Sequence, residues 1–132
     1  MINSKILYVN SDPMDLVFPL LREANGSNYT RMGNVSDAME ALKKGDYKGL
    51  FLQSLRVPPI DYSSSDSIVS GGFRIIEAAK SQGLPIVVRT GSKNMGILRK
   101  LEDMIGKEAI LPAPNNLNLI LPATRRIFGM TK

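Results

Sequence analysis

The sequence of 132 residues contains neither cysteine nor histidine. The lack of cysteine excludes disulfide bonds, zinc–thiolate sites and thiol catalysis. The lack of histidine removes the commonest general base and the commonest metal ligand of proteins. No apolar run is long enough to cross a bilayer, and the first residues lack the pattern of a signal peptide. We therefore expect a cytoplasmic protein that uses no metal and no cofactor.

Positive charge is unevenly distributed along the chain. The net charge is +5, and the residues up to Val88 include nine basic and nine acidic side chains. From Arg89 onward there are eight basic side chains and only three acidic ones. This asymmetry favours an acidic protein partner, a nucleic acid or an anionic surface. The alternative is a solvated helix face that aids solubility.

Short apolar runs alternate with amphipathic helical patterns five times along the chain. Such alternation is typical of a parallel sheet that is covered by helices on both faces. The length suits one domain with one core. The pattern therefore predicts a single α/β domain over residues 1–132, a three-layer doubly wound sandwich. Its five-stranded parallel sheet is expected to have the flavodoxin-like order 2-1-3-4-5, with any ligand chemistry at the carboxyl ends of the strands.

Two local signals predict where the first helices begin. Asp12 is a good N-cap for a helix that extends to about Ala24, and Pro19 inside that helix predicts a kink or a shifted start. Ser36 together with Met39 and Glu40 is close to a capping box, so Ser36 is the predicted N-cap of the second helix.

A long polar segment, 55–70, shows no periodicity and is predicted to be a loop. The pair Gly71–Gly72 should end this loop before a helix that starts at Phe73. Asp61 and Asp66 could fold back over a strand-end pocket, although serine- and aspartate-rich loops are more often solvated. Long irregular loops tend to be functional or disordered, so a partner-binding loop and a mobile insertion both remain open.

Four segments resemble the motifs of response-regulator receiver domains, and the resemblance spans essentially the whole chain. Residues 5–13 are similar to the family's first strand, which ends in an acidic pair. Residues 50–58 are similar to the third strand, with its phospho-acceptor aspartate and a proline four residues later. Residues 85–91 resemble the strand that ends in a hydroxyl residue, and 106–114 the segment with a lysine before a proline. The resemblance implies a receiver fold and signalling of the two-component, phosphorelay type.

The resemblance also implies which positions form the phosphorylation site, and most of them have changed. The acidic pair is replaced by Asn10 and Ser11, the acceptor aspartate by Ser54 and the lysine by Ala113, while Thr90 keeps the family's hydroxyl. A neutral serine is a poor acceptor from phosphohistidine and cannot hold magnesium as a carboxylate does. We therefore predict a degenerate, pseudo-receiver domain that is not an enzyme.

Receivers signal largely through the face made by their fourth helix, fifth strand and fifth helix, which here falls in the basic last third of the chain. The resemblance thus implies a protein-interaction module that binds an acidic protein or forms a homodimer through this face. A small nucleic-acid-binding module is the alternative, but it is disfavoured because the tyrosines are scattered and form no stacking platform. The predicted partner-binding residues are Lys93, Arg99, Lys100, Lys107, Arg125 and Arg126.

Overall fold

In a computed structural model, which describes residues 5–12, 14–25, 28–112 and 117–129, five strands form one sheet. The strands are β1 (Ile6–Val9), β2 (Tyr29–Met32), β3 (Gly49–Leu52), β4 (Ile86–Thr90) and β5 (Ile110–Pro112). They pair in parallel in the order β2-β1-β3-β4-β5. This order confirms the predicted flavodoxin-like sheet.

Helices cover both faces of the sheet. Among the described residues they are α1 (Val17–Asn25), α2 (Val35–Lys43), α3 (Ser65–Ile68), α4 (Ser70–Ser81), α5 (Met95–Ile105) and α6 (Leu117–Phe128), and a 3-10 turn (Lys107–Ala109) precedes β5. The core on one face contains α2, α4 and α5, and the core on the other contains α1 and α6. None of the helices in the described ranges is long and apolar enough to cross a membrane.

The central strands are apolar on both sides because each side is buried under helices. In β1, Leu7 and Val9 belong to the core beneath α2, α4 and α5, while Ile6 and Tyr8 belong to the core beneath α1 and α6. The ring of Tyr8 stacks on Phe51 of the neighbouring strand β3 with a centroid distance of 5.2 Å. The sheet is therefore a rigid base for the loops that leave its carboxyl edge.

Helix α1 begins at Val17, five residues after the predicted N-cap Asp12. This start places Pro19 in the first turn, where a missing N–H costs no intrahelical hydrogen bond. The carboxylate of Asp15 accepts the N–H of Val17 at 2.8 Å, whereas Asp12 accepts the N–H of Met14 in the preceding turn at 2.9 Å. The prediction of Asp12 as the N-cap was wrong, whereas the shifted start predicted from Pro19 is confirmed.

The N-cap of α2 is Asn34, so the prediction of Ser36 was also wrong. The Oδ1 atom of Asn34 accepts the N–H of Asp37 at 2.7 Å, and its Nδ2 donates to the Asp37 carboxylate at 3.0 Å. Val35 then becomes the first helical residue and is buried in the core. Burial of this side chain decides between two cap candidates that local sequence treats as equal.

Replacing Asn34 with alanine is expected to lower the free energy of unfolding by about 1 kcal/mol, because it removes the acceptor for the Asp37 N–H. The matched control is Ser36→Ala, which is exposed and should change stability by less than about 0.5 kcal/mol. Urea denaturation of both variants measures the difference. A larger effect at Ser36 than at Asn34 would contradict this assignment of the cap.

The segment 55–70 is anchored and contains a short helix, which the sequence did not predict. Leu55 and Val57 are buried, and the N–H of Val35 donates to the carbonyl of Pro58 at 2.8 Å. Helix α3 follows, with the Ser64 hydroxyl as its N-cap. The segment is thus held at its first residues by core side chains and by a main-chain hydrogen bond.

Helix α4 includes both glycines that were predicted to precede it. A Cβ atom on Gly72 would lie 2.5 Å from the carbonyl oxygen of Leu55, and one on Gly71 would lie 2.8 Å from the carbonyl oxygen of Val57. Two consecutive glycines signal a loop by propensity, but here they allow the main chain of the 55–70 segment to lie against the first turn of the helix.

Candidate functional site

The carboxyl ends of β1 and β3 bring three of the predicted site positions to one edge of the sheet. Val9 pairs with Leu52, and the N–H of Gln53 donates to the carbonyl of Val9 at 3.0 Å. Asn10 and Ser11 therefore leave the sheet beside the residues that lead to Ser54. This is the edge at which ligands bind in open α/β sheets.

Ser54 and Thr90 line one cleft of about 500 Å³ at this edge. The cleft lies between the chain after β3, the chain after β4 and the helix α3. Asn10 and Ser11 are not among its lining residues. Ala113 lies outside the described residues. The structure thus brings Ser54 and Thr90 together, with Asn10 and Ser11 at the end of the neighbouring strand.

Asn10 is only 8% exposed and has a structural role in the turn after β1. Its N–H donates to the carbonyl of Met32 at 3.0 Å, and its side-chain oxygen accepts the N–H of Asp12 at 3.3 Å. An amide satisfies this turn without the charge that a carboxylate would bury. The residue therefore suits a neutral strand end.

The residues of this edge do not fit a magnesium ion, which the resemblance to receivers implies. Magnesium in proteins is usually held through carboxylates, and here the corresponding side chains are the amide of Asn10 and the hydroxyls of Ser11 and Ser54. Within the described ranges, no three acidic side chains come close enough together to hold a metal ion. The carboxylate of Asp12 already accepts a main-chain N–H. These side chains therefore do not form a suitable set of magnesium ligands.

The acidic side chains of the long segment do not replace the missing carboxylates. Asp61 and Asp66 are both exposed, and neither lines the cleft. The main-chain N–H of Ser63 donates to Asp61 at 2.9 Å, and this hydrogen bond lowers the pKa of the Asp61 carboxyl. The outcome agrees with the expectation of a solvated position for these acids.

A buried arginine lies at the end of β4 and was not singled out by the sequence. Arg89 is 2% exposed, and this burial lowers the pKa of its guanidinium, while the nearby Tyr8 and Asp15 act in the opposite direction. Arginine nevertheless stays charged in proteins. An arginine directly after three buried apolar residues was the available signal, because an interior cation needs compensation nearby.

Tyr8 and Asp15 form the polar surroundings of that arginine. The Tyr8 hydroxyl donates to the Asp15 carboxylate at 2.5 Å. Burial, together with this hydrogen bond, raises the pKa of Tyr8 far above its usual range, so the phenol stays protonated. The Asp15 carboxylate thus accepts hydrogen bonds from the Tyr8 hydroxyl and from the N–H of Val17.

The six predicted partner-binding residues have different surroundings. Lys93 lines the cleft, and the Lys100 ammonium lies 4.4 Å from the centroid of the Phe73 ring, toward α4. Arg126 donates to the main-chain carbonyl of Glu108 in the 3-10 turn at 3.4 Å. Lys93 precedes α5 and Lys100 lies toward α4, so both point away from the face that α5, β5 and α6 share. Arg99 and Lys107 are exposed, and Arg125 is partly buried.

Comparisons with known proteins give a consistent fold. No protein-family model and no curated protein sequence matches the chain. The signal receiver domain of a putative LuxO repressor protein from Vibrio parahaemolyticus superposes with a TM-score of 0.73 at 11% identity, covering 97% of this chain and 92% of that one. This chain has the receiver fold.

Two further receivers support this assignment. The non-phosphorylated HemR receiver domain of Leptospira biflexa gives a TM-score of 0.70 at 21% identity, covering 98% of this chain and 97% of that one. A chemotaxis response regulator of Vibrio cholerae gives 0.71 at 18% identity, with 96% and 99% covered. The receiver fold is thus shared over nearly the full length. The identities are low, so the chemistry of the site follows from this chain's own residues.

Proposed function

We propose that this chain is a receiver-like signalling domain of the two-component type that does not accept a phosphoryl group. The observation that carries the proposal is the replacement of the receiver pattern's acidic pair and acceptor aspartate by Asn10, Ser11 and Ser54 within a retained receiver fold. Its output is the binding of another protein. It is not an enzyme.

The chemistry of phosphoryl transfer explains why these replacements matter. Such transfer depends on positioning and on cations that neutralise the phosphoryl oxygens, and a receiver also needs a carboxylate nucleophile. Ser54 offers a neutral hydroxyl that already accepts the N–H of Arg56 at 3.1 Å. No acidic side chain in the described part of the chain lines the cleft to act as its base.

Incubation with acetyl phosphate and magnesium tests the loss of phosphorylation directly. We expect the intact mass of the protein to stay unchanged under conditions that fully phosphorylate an ordinary receiver used as a control. A mass increase of one phosphoryl group that maps to the 50–58 peptide would overturn the proposal.

The proposed docking surface is the face formed by α5, β5 and α6. The exposed cations Arg99 and Lys107, together with the exposed Arg126, make it suitable for an acidic protein or for a second copy of the chain. Nucleic acid is a poorer fit because the scattered tyrosines provide no stacking platform among the basic residues. A docking surface, combined with the loss of the residues that phosphorylation requires, is typical of a phosphorylation-independent interaction module.

Charge reversal of Arg99 and Lys107 to glutamate is expected to weaken this binding by about tenfold, since each reversal replaces an attraction at the rim by a repulsion. The control is Lys43→Glu with Lys44→Glu, the same charge change at the exposed end of α2. Sedimentation velocity measures the homodimer. Titration of an acidic protein captured by the unmodified chain measures the heterologous complex. Equal weakening by both double variants would rule out this face.

A further inference from the structure

The cleft that contains Ser54 and Thr90 has the size and walls of a small-molecule site. Its volume of about 500 Å³ lies within the usual range for ligand pockets. One wall is the chain after β3 and another is the chain after β4. The third wall is helix α3 with Val69, which the unusually long 55–70 segment supplies. The segment that departs most from the receiver pattern therefore builds the cleft.

The charged side chains that line the cleft are positive among the described residues. They are Arg56, Arg89 and Lys93, and no aspartate or glutamate of the described ranges joins them. The negative charge of Asp15 partly offsets the positive charge of Arg89. The exposed cations Arg56 and Lys93 therefore supply the excess, and a concave site with one sign of charge concentrates the opposite ion.

Three hydroxyl groups in the cleft retain a hydrogen to donate. Ser54 accepts the N–H of Arg56 at 3.1 Å, and Thr90 accepts the N–H of Ser92 at 3.1 Å. Ser92 in turn accepts the N–H of Asn94 at 3.2 Å. Each main-chain N–H occupies oxygen lone-pair capacity, while the single O–H of each hydroxyl stays available as a donor. Such O–H donors suit an anion.

The start of α5 adds to the same preference. Asn94 caps this helix of 11 residues, and its side-chain oxygen accepts the N–H of Ile97. A helix N-terminus carries a partial positive charge and favours phosphate groups. Here it opens into a cleft that already has basic and hydroxyl side chains, and these share its preference for an anion.

We infer that this cleft binds a small organic phosphate, held by Arg56, Lys93 and the hydroxyls of Ser54, Thr90 and Ser92. The apolar part of the ligand would contact the Ile68, Val69 and Ile97 side of the cleft, which has room beyond a bare phosphate ion. The cleft lies beside Asn10 and Ser11, the replaced acidic pair of the receiver pattern, and does not include them. This inference does not depend on the α5–β5–α6 docking surface.

Titration of the ¹⁵N-labelled chain with ribose 5-phosphate, in the presence of a chelator that removes divalent metals, tests the inference. We expect saturable shifts of the Ser54, Thr90 and Ser92 amides, weaker binding of inorganic phosphate, and no response to ribose. The variant Arg56→Glu with Lys93→Glu should weaken the affinity at least about tenfold, since two favourable charges become repulsive.

The control variant is Lys80→Glu, which alters an exposed cation in the last turn of α4. It should bind ribose 5-phosphate as the unmodified chain does. Lys93→Gln, which removes charge without adding repulsion, provides a milder test if the double variant unfolds, and it should still weaken binding several-fold. Unsaturable shifts, or equal losses in Lys80→Glu and the cleft variants, would show general attraction of anions and overturn the inference. Because reversible binding leaves the intact mass unchanged, this outcome is separate from the acetyl phosphate test.

Discussion

Replacing Gly72 with alanine is expected to lower the free energy of unfolding by about 3 kcal/mol. The new Cβ would lie 2.5 Å from the carbonyl oxygen and 2.8 Å from the Cα of Leu55, and both are main-chain atoms that cannot rotate away. The hydrogen bond from the Gly72 N–H to that carbonyl, 3.2 Å long, must also be distorted. Without the clash, alanine in a helix would instead add about 1 kcal/mol of stability. The sign of the measured change therefore shows whether the new Cβ clashes with Leu55.

The matched control for this variant is Gly33→Ala. A Cβ on Gly33 would have its nearest neighbours at 3.8 and 3.9 Å, which is ordinary contact, so stability should change by less than about 1 kcal/mol. Urea denaturation with a common slope for all variants gives the comparison. If Gly72→Ala proves as stable as the unmodified chain, the close approach of the 55–70 segment to α4 is wrong.

The close approach at Gly72 also matters for the cleft. Leu55 directly follows Ser54, and both residues line the cleft. A displaced Leu55 therefore moves the wall that carries Ser54. We expect the Gly72→Ala variant to lose ribose 5-phosphate binding along with stability, whereas Gly33→Ala keeps both.

Restoring the carboxylates is expected to give the second large effect, a gain of magnesium binding. The triple variant Asn10→Asp, Ser11→Asp and Ser54→Asp supplies the anionic ligands that magnesium prefers. A single charge pair about 4 Å apart gains on the order of 4 kcal/mol at the dielectric of a protein surface, so affinity should rise by at least about a hundredfold over the unmodified chain.

The same variant should be less stable without metal, because three carboxylates crowd one edge and Asn10 is nearly buried. Magnesium should return this stability by binding only the folded state. Thermal unfolding with and without magnesium measures both effects. The control Lys80→Glu with Ser81→Asp makes the same change in net charge on exposed residues at the end of α4 and should show no magnesium response. A triple variant that ignores magnesium would mean that geometry, and not only charge, has been lost at this edge.

The sheet could be predicted because its information is local and repeated. Each strand is a short apolar run, each connection is a helix, and right-handed crossovers leave few possible orders. The ends of elements were harder. The start of α1 depends on Pro19, which excludes a helix that begins directly after Asp12. Ser36 competes with Asn34 as the cap of α2, and burial of Val35 accompanies the choice of Asn34.

The site was predicted only in part. The replaced positions Asn10, Ser11 and Ser54 were identified from the resemblance, and register places them at one edge of the sheet. The cationic cleft was not predicted, because Arg56 is far in the chain from Arg89 and Lys93 and meets them only through the pairing of β3 with β4. The surplus of basic residues in the last third was visible, but its division between a cleft and a docking face was not.

The sequence by itself determined the strand order, the loss of the acidic residues and the absence of any histidine or cysteine chemistry. These properties depend on residue identity and on patterns within one segment. Only the tertiary structure decided that 55–70 is a packed wall, that Gly71–Gly72 belong to a helix and that the strand ends form a basic cleft. The physical reason is that each of these features depends on contacts between residues distant in the chain, for which local preference carries no signal.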